Sequence, residues 1–430
     1  MKDFLTGAAT AAHQVEGNNT NSDYWLMEHM ENTDFAEPSG EAVDHYHRYR
    51  EDIDLLKKAG LNAYRFSIEW ARIEPEEGKF DETEIQHYRD VLTYCHENDV
   101  EPVVTLYHFT SPAWLIGKGG WEDDSVVTCF ERYVKKVMES VGSLMGYVVT
   151  INEANMGIQI AEIMDRYKKQ MMAAAAAQKD TPNAEGIAQV GMNFNTMMAK
   201  MAAKKAENKK LFGIEEPQTF VSARTAHGDE LVMKAHIAAR KAIHEICPDV
   251  KVGLSLSLHD VQWLPGGEEN AAKAWNQDFS HYLYVIKDDD FIGVQNYTRS
   301  LFGPEGLLSV PDGADKTQMD YEFYPFALEH VVRRVIKESG LPVIVTENGI
   351  ATTDDRRRQT FIKCAYDGVK ACVADGLPVK GYFYWSLLDN FEWQKGFSMT
   401  FGLTAVDRTT QKRTPKESLY LLGRLAGEED

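Results

Sequence analysis

Two short apolar stretches of the chain each run directly into a glutamate. Residues 342–346 lead to Glu347 before an Asn-Gly turn, and residues 147–152 lead to Glu153. Runs of this length and composition predict short strands that are buried on both faces. A carboxylate at the tip of such a strand has no structural use, because burying an unpaired charge costs several kcal/mol. The two stretches therefore predict a pair of carboxylates that face one site.

A pair of carboxylates across one site suits glycoside cleavage. One group protonates the leaving oxygen while the other attacks the sugar or activates water. A separation of about 5 Å gives retention and a wider gap gives inversion, and both outcomes are open at this point. A metal site would bring His or Asp at ligand spacing. His45 and His47 are the one close histidine pair, and i,i+2 residues on a helix point apart. We therefore expect neither a metal nor another cofactor.

Charge and cysteine content narrow the function classes further. The net charge is -20 and the isoelectric point is about 5.1, which argues against a nucleic-acid partner because phosphate binding needs a basic face. Five scattered cysteines without a C-x-x-C motif indicate a reduced, cytoplasmic protein. The first residues are too polar for a signal peptide, and no apolar run approaches the roughly 18 residues of a membrane span. A small, neutral substrate is expected, and homo-oligomerisation stays open.

Strand and helix patterns alternate along the whole chain. Eight strands that alternate with helices favour parallel pairing and a closed barrel. No G-x-G-x-x-G follows the first strand, which weakens a dinucleotide-binding sheet. We therefore predict an α/β fold, a single (β/α)₈ TIM barrel over residues 1–430. The predicted strands span residues 4–9, 63–68, 101–107, 147–152, 251–256, 291–295, 342–346 and 379–385.

In such barrels the chemistry sits at the carboxyl ends of the strands. Polar or aromatic residues stand at the carboxyl half or end of seven of the eight predicted strands. The fifth strand gives a weaker signal, Ser257-Leu258-His259. The residues at the other seven are His13 and Gln14, Arg65, His108, Asn152 with Glu153, Tyr297, Glu347, and Trp385.

The segment 155–223 breaks the alternation after strand four. It holds eight of the sixteen methionines and a run of five alanines, a strongly helical composition. We predict two helices inserted on the active-site rim. A methionine-rich surface serves either as adaptable binding surface or as a satellite core.

Six motifs in order resemble glycoside hydrolase family 1, the β-glucosidase-like β-glycosidases. They are residues 4–17, residues 64–70, TLYH at 105–108, TINE at 150–153, TENG at 346–349 and YWSLLDNFEW at 384–393. The resemblance spans nearly the whole chain except the insertion.

The resemblance implies a role for each candidate residue. Glu347 matches the nucleophile and Glu153 the acid/base. Arg65 is expected to keep Glu347 ionised, and Tyr297 to hydrogen-bond it. Asn152 matches the residue that holds the sugar 2-hydroxyl. The remaining substrate-binding positions implied are Gln14, His108, Glu392 and Trp393, with Trp385 as a flat apolar face.

Three positions depart from the family pattern. Ala154 stands where proline usually follows the acid/base, Gln295 replaces an asparagine, and Phe109 replaces a tryptophan. Glu153 argues against a plant thioglucosidase, which carries Gln there. The Glu392-Trp393 pair, without a following lysine-tyrosine clamp, argues against a 6-phospho-glycosidase.

The sequence therefore predicts a retaining exo-β-glycosidase that hydrolyses small soluble β-glucosides through a covalent glycosyl-enzyme. Alternatives within the family are a β-galactosidase or β-fucosidase and a transglycosylase. An alternative from another class is a non-catalytic sugar-binding barrel. The implied partner is a small-molecule glycoside.

Overall fold

Eight parallel strands close into a barrel in the computed structural model of the chain, which describes residues 4–179 and 194–428. The predicted (β/α)₈ barrel is thereby confirmed. Around the barrel the order is β1-β2-β3-β4-β5-β7-β10-β11, and β11 pairs back onto β1. The strands of the described ranges are β1 Leu5–Ala9, β2 Ala63–Ser67, β3 Glu101–Thr105, β4 Tyr147–Val149, β5 Lys251–Ser257, β6 Asp260–Trp263, β7 Phe291–Gln295, β8 Arg299–Gly303, β9 Gly306–Leu307, β10 Val343–Asn348, β11 Val379–Trp385, β12 Thr404–Val406 and β13 Arg413–Pro415.

Helices follow most of the barrel strands and cover the outside of the barrel. Patterned apolar residues and caps explain their bounds: α10 begins after Thr225, whose hydroxyl accepts from the Gly228 amide, and α13 ends at Gly340 in the left-handed region. The helices are α1 Ala12–Val15, α2 Asp23–Glu28, α3 His45–Ala59, α4 Trp70–Ile73, α5 Glu82–Glu97, α6 Ala113–Gly117, α7 Ser125–Val141, α8 Met156–Lys179, α9 Phe194–Phe212, α10 Ala226–Ile246, α11 Glu268–Asp278, α12 Leu283–Ile286, α13 Ala327–Ser339, α14 Asp355–Ala374 and α15 Glu417–Gly427. No helix within these two ranges is both long enough and apolar enough to cross a membrane.

The strand side chains divide between two cores. Ile344 belongs to a small cluster that fills the barrel, whereas its neighbours Val343 and Val345 join the large cluster between strands and helices. All three are fully buried, as alternation along a barrel strand requires. The continuous apolar run at 342–346 is explained by this burial on both faces.

Strand register brings several predicted site residues together. Glu347 of β10 pairs with Gln295 of β7, which in turn pairs with Ser257 of β5. On the other side of the barrel, Ala9 of β1 pairs with Arg65 of β2. All five residues therefore lie near one end of the barrel.

Helices α8 and α9 lie between β4 and α10, inside the segment predicted as an insertion. Residues 180–193 of this segment lie outside the described residues. The treatment of 155–223 as a separate rim unit stays a prediction.

The carboxyl end of β10 packs closely on β11 at Gly349. A Cβ added there would lie 2.0 Å from the carbonyl oxygen of Trp385. Gly349→Ala is expected to push these two strand ends apart and to lower the free energy of unfolding by about 1–3 kcal/mol, with a loss of activity. Urea unfolding and steady-state kinetics check this. The control Gly427→Ala adds a Cβ into open space and should change the free energy of unfolding by less than about 0.5 kcal/mol. Equal effects of the two substitutions would contradict the prediction.

Candidate active site

A cavity of about 580 Å³ lies at the carboxyl ends of the barrel strands. Ten residues have a role implied by the family resemblance, and the structure brings all ten to this place. Nine of them line the cavity, whereas Arg65 lies fully buried beneath it. The nine that line the cavity are Gln14, His108, Asn152, Glu153, Tyr297, Glu347, Trp385, Glu392 and Trp393.

Glu347 at the tip of β10 is held by three donors. Arg65 Nη1 donates to Oε1 at 2.6 Å, Gln295 Nε2 to the same oxygen at 3.0 Å, and the Tyr297 hydroxyl to Oε2 at 2.5 Å. Burial raises the pKa of Glu347, and the Arg65 guanidinium and the Tyr297 hydroxyl limit that rise because they bind the ionised form. The three donors fix the position of the Glu347 carboxyl group, and Arg65 and Tyr297 favour its ionised form.

The Arg65 guanidinium has partners on three other strands or strand ends. Nη2 donates to Asn152 Oδ1 at 2.6 Å, Nε donates to Thr105 Oγ1 at 3.1 Å, and Nη1 also donates to the Thr346 carbonyl at 3.1 Å. A buried charge with donors satisfied in this way avoids the cost of an unpaired one.

Gln295 links the nucleophile candidate to Asn152. Its Nε2 lies 2.6 Å from Asn152 Oδ1 and 3.0 Å from Glu347 Oε1. Gln295 stands where the family pattern has the shorter asparagine. The structure shows that the amide reaches both acceptors from the end of β7.

The Asn152 side chain also hydrogen-bonds His108. Its Oδ1 accepts from Arg65 and Gln295, so its Nδ2 is the donor towards His108 Nε2 at 3.3 Å. Burial, and then the Arg65 charge, hold the pKa of His108 well below its usual range. His108 is therefore neutral, with its proton on Nδ1, a buried atom that has no partner among the residues described.

Glu153 follows β4 in a constrained backbone conformation. Its φ is 44° and its amide donates to Ser255 Oγ at 3.1 Å. A non-glycine residue adopts this backbone region only at a cost in free energy, and residues strained in this way cluster at functional sites. Burial and the neighbouring Glu347 charge raise the pKa of Glu153 well above its usual value, against a smaller opposing effect from Ser257 and Arg65. Glu153 is thus a carboxyl group whose surroundings favour the protonated form.

A third carboxyl group, Glu392, lies beside Gln14. Gln14 Nε2 donates to the Phe391 carbonyl at 2.6 Å and to Glu392 Oε2 at 3.2 Å. Burial and the Glu347 charge raise the pKa of Glu392 to about 8. Both residues present oxygen or nitrogen atoms that suit sugar hydroxyls.

Aromatic rings form flat walls beside these polar groups. His108 stacks on Trp385 and on Trp393 with centroid distances of 5.8 and 6.2 Å. His13, predicted from its place after β1, supports Trp393 from behind at 5.9 Å and pairs with Glu28. His13 is therefore a supporting residue and not part of the cavity wall.

The departure at Ala154 has a structural explanation, which includes its neighbour Asn155. The Ala154 amide donates to the Ser255 carbonyl at 3.0 Å, a bond that proline lacks a donor to make. The Asn155 side chain bonds both the amide and the carbonyl of Ser257. These hydrogen bonds hold the segment that follows β4 against the end of β5. Phe109 keeps the apolar wall, with its ring 5.3 Å from that of Trp393.

Several cavity residues were not predicted from the sequence. Ser257 at the end of β5 and His259 just after it had only a weak signal in the sequence, although they stand where the barrel rule expects function. The others come from α2, from α8 and from the segments between elements, where strand patterns give no signal. They are Tyr24, Met156, Ile160, Met164, Val221, Met319, Tyr321, Gln394, Lys395 and Phe401.

The Gln295 bridge can be tested by an apolar replacement of similar length. Gln295→Met removes the donor to Glu347 and to Asn152, and hydrogen bonds to charged groups contribute about 1.5–3 kcal/mol each. We expect kcat/KM on 4-nitrophenyl β-glucoside to fall about 10- to 100-fold. The control Gln86→Met lies on the exposed face of α5, where Gln86 bonds Asp90. A Gln295→Met enzyme as active as the control would show that the bridge has no catalytic role.

The raised pKa of Glu392 makes stability depend on pH. Its folded pKa of about 8 exceeds the ordinary 4.5, so the folded protein binds the proton more tightly, and this stability is lost as pH rises from 4.5 towards 8. Glu392→Gln removes the ionisation. Its melting temperature should exceed that of the wild type by about 1–2 °C at pH 8 and by less at pH 5, while activity falls. A difference that shrinks as pH rises would contradict the assignment.

Comparison with known proteins agrees with this geometry. The sequence model of Glycosyl hydrolase family 1 matches residues 1–216 and 308–430. The match was expected to omit 155–223, but it extends to residue 216 and leaves 217–307 unmatched.

Similar proteins cover nearly the whole chain. A β-glucosidase from Agrobacterium sp. is 31% identical over 97% of this chain and 93% of its own length, and β-glucosidase A from Thermotoga maritima is 28% identical over 97% and 95%. Among solved structures, the β-glycosidase BGL167 has 44% identity, a TM-score of 0.86, and coverage of 99% of this chain and 96% of its own. The apo β-glucosidase 1317 has 39% identity, a TM-score of 0.85 and 99% coverage of both chains. The family model matches more than half of this chain, and the barrel and both carboxyl groups are in place. The chain therefore belongs to glycosyl hydrolase family 1 and is a retaining glycoside hydrolase.

Proposed function

We propose that this glycoside hydrolase acts as an exo-β-glucosidase on small β-glucosides. The observation that carries the proposal is a Glu347 carboxyl group fixed by Arg65, Gln295 and Tyr297 that shares one cavity with Glu153, whose pKa is raised. The ionised form is favoured at Glu347, which has a guanidinium at 2.6 Å, and the protonated form at Glu153. An ionised nucleophile and a neutral acid are what the first step requires.

In the first step, Glu347 attacks the anomeric carbon while Glu153 gives its proton to the glycosidic oxygen. The bond from the anomeric carbon to that oxygen breaks, the aglycone leaves as an alcohol, and the sugar becomes an ester of Glu347. Ester formation removes the Glu347 charge, which had raised the pKa of Glu153. Glu153 is then left ionised and suited to act as a base.

In the second step, Glu153 takes a proton from water as the water oxygen attacks the anomeric carbon. The ester bond breaks, β-glucose leaves, and Glu347 regains its charge with Arg65 still beside it. Asn152 is proposed to hold the sugar 2-hydroxyl. Gln14, His108 and Glu392 are proposed to bind the other hydroxyls, and Trp385 and Trp393 to bound the ring.

The names of the relatives support glucose as the sugar, since those proteins are called β-glucosidases. The family alternatives differ in glycone or in acceptor. Rates on nitrophenyl β-glucoside, β-galactoside and β-fucoside separate the glycones, and product analysis with an added alcohol separates hydrolysis from sugar transfer. Tight glucoside binding without turnover by the wild-type protein would favour the non-catalytic barrel.

We propose two further assignments that complete this function. The segment 155–223 forms one side of the cavity mouth, since Met156, Ile160, Met164 and Val221 line the cavity. The protein works in the cytoplasm, a location supported by its five cysteines, all of which are free thiols.

The roles of the two glutamates are tested by replacing each with glycine. Both Glu347→Gly and Glu153→Gly should lower kcat/KM on an alkyl β-glucoside by about 10⁴-fold or more. On 4-nitrophenyl β-glucoside, added azide should enter the vacated space and restore turnover. Azide replaces the nucleophile in Glu347→Gly and should give the α-azide, whereas in Glu153→Gly it attacks the glycosyl-enzyme and should give the β-azide. The same anomer from both variants, or an unimpaired variant, would refute the assignments.

A further inference from the structure

The position of the acid/base defines where the aglycone must lie, given the proposed function. Glu153 has to reach the glycosidic oxygen, so the leaving group occupies the Glu153 side of the cavity. Helix α8 begins at Met156, three residues after Glu153. The aglycone therefore meets the first turns of α8.

These turns present one continuous apolar face, which we call the α8 wall and define as Met156, Ile160 and Met164. The residues lie at i, i+4 and i+8, and all three line the cavity. The helical rise of about 1.5 Å per residue makes the wall about 12 Å long. Met156 and Ile160 are partly buried, whereas Met164 is 56% exposed. The wall thus runs outward from the catalytic carboxyl groups to the mouth.

Other cavity residues extend this apolar surface. Val221 and Trp393 both pack against the cluster of Tyr24, Phe35 and Phe391, and Met319 packs against the cluster that contains Trp385 and Phe401. None of the side chains of Val221, Met319 and Phe401 carries a conventional hydrogen-bond donor. Methionine side chains are flexible and polarizable, and they make favourable contacts with aromatic rings.

The polar residues at and after the end of β5 already make hydrogen bonds within the protein. The backbone amide and carbonyl of Ser257 bond the Asn155 side chain, and Ser257 also bonds Glu153. His259 Nδ1 lies 2.7 Å from Ser300 Oγ, and burial lowers the pKa of His259, which keeps the ring neutral. Tyr321, Gln394 and Lys395 also line the cavity, but they do not belong to the α8 wall.

We propose that the α8 wall forms an aglycone subsite that selects apolar aglycones, such as arylalkyl alcohols, over a second sugar. An apolar ring or chain covers the wall without leaving a polar group unpaired. A sugar in the same place presents hydroxyls to Met156, Ile160 and Met164, which give them no partner, and buried polar groups without partners are costly. Selection therefore acts through the aglycone and leaves the glycone contacts unchanged.

The test compares three substrates whose leaving groups are all alcohols: 2-phenylethyl β-glucoside, methyl β-glucoside and cellobiose. For the full-length wild-type chain, kcat/KM on the phenylethyl glucoside should exceed that on cellobiose by about 10-fold or more. Met164→Gln keeps the length of the side chain but makes it polar. It should lower kcat/KM on the phenylethyl glucoside about 3- to 10-fold, mainly through KM, and change the methyl glucoside by less than about twofold.

The matched control is Met172→Gln, two turns further along α8. Met172 is 65% exposed and does not line the cavity, so this variant should keep the wild-type values on all three substrates. Melting temperatures of both variants establish that they fold. Equal or better use of cellobiose, or equal effects of Met164→Gln and Met172→Gln, would overturn the subsite and leave the glucosidase function standing. Absence of turnover on all three glucosides would overturn both.

Discussion

The Arg65 guanidinium is the interaction on which the rest of the site depends. From the end of β2 it hydrogen-bonds Thr105 on β3, Thr346 and Glu347 on β10, and Asn152 after β4. Losing one partner of a buried pair of this kind typically costs about 3–5 kcal/mol, because the other charge is left uncompensated. Arg65 and Glu347 are therefore tied together for reasons of stability as well as of chemistry. The cation that the fold holds beneath Glu347, the proposed nucleophile, opposes the rise in pKa that burial causes.

Of the three carboxyl groups at the site, Glu347 is the one that pairs with the Arg65 guanidinium. Glu153, Glu347 and Glu392 all line one cavity, and the Glu347 charge raises the pKa of both others. The cavity therefore contains one carboxyl group that a guanidinium holds towards the ionised form and two that favour the proton. This difference suits the proposed nucleophile and acid, and it costs stability as the pH rises from 4.5 towards the Glu392 pKa of about 8.

Much of this arrangement could be predicted because short stretches of sequence indicate the barrel strands and their ends. Apolar runs such as Val343–Val345 mark strands that are buried on both faces, and the residues that follow them must meet at one end of the barrel. Glu153 and Glu347 were placed in this way. Their opposite protonation preferences rest on Arg65, which the family resemblance assigned to the nucleophile.

The unpredicted parts depend on tertiary structure. Met319, Tyr321 and Phe401 reach the cavity from loops whose course no periodicity defines. The contact of Gln295 depends on the side-chain reach of one methylene and on the register of β7 against β10. The α8 wall was visible only as a composition bias, because helical spacing shows which residues share a face but does not show what that face meets.

Closure of the barrel also orders events during synthesis of the chain. Gln14 follows the first strand, whereas Glu392 follows the last barrel strand, and the two hydrogen-bonded residues are 378 positions apart. They come together only when β11 pairs with β1. A nascent chain therefore lacks the part of the cavity that Trp385, Glu392 and Trp393 line until almost the whole polypeptide has left the ribosome. Unfinished or truncated chains present an open sheet edge in place of a binding site, which distinguishes them from the finished protein.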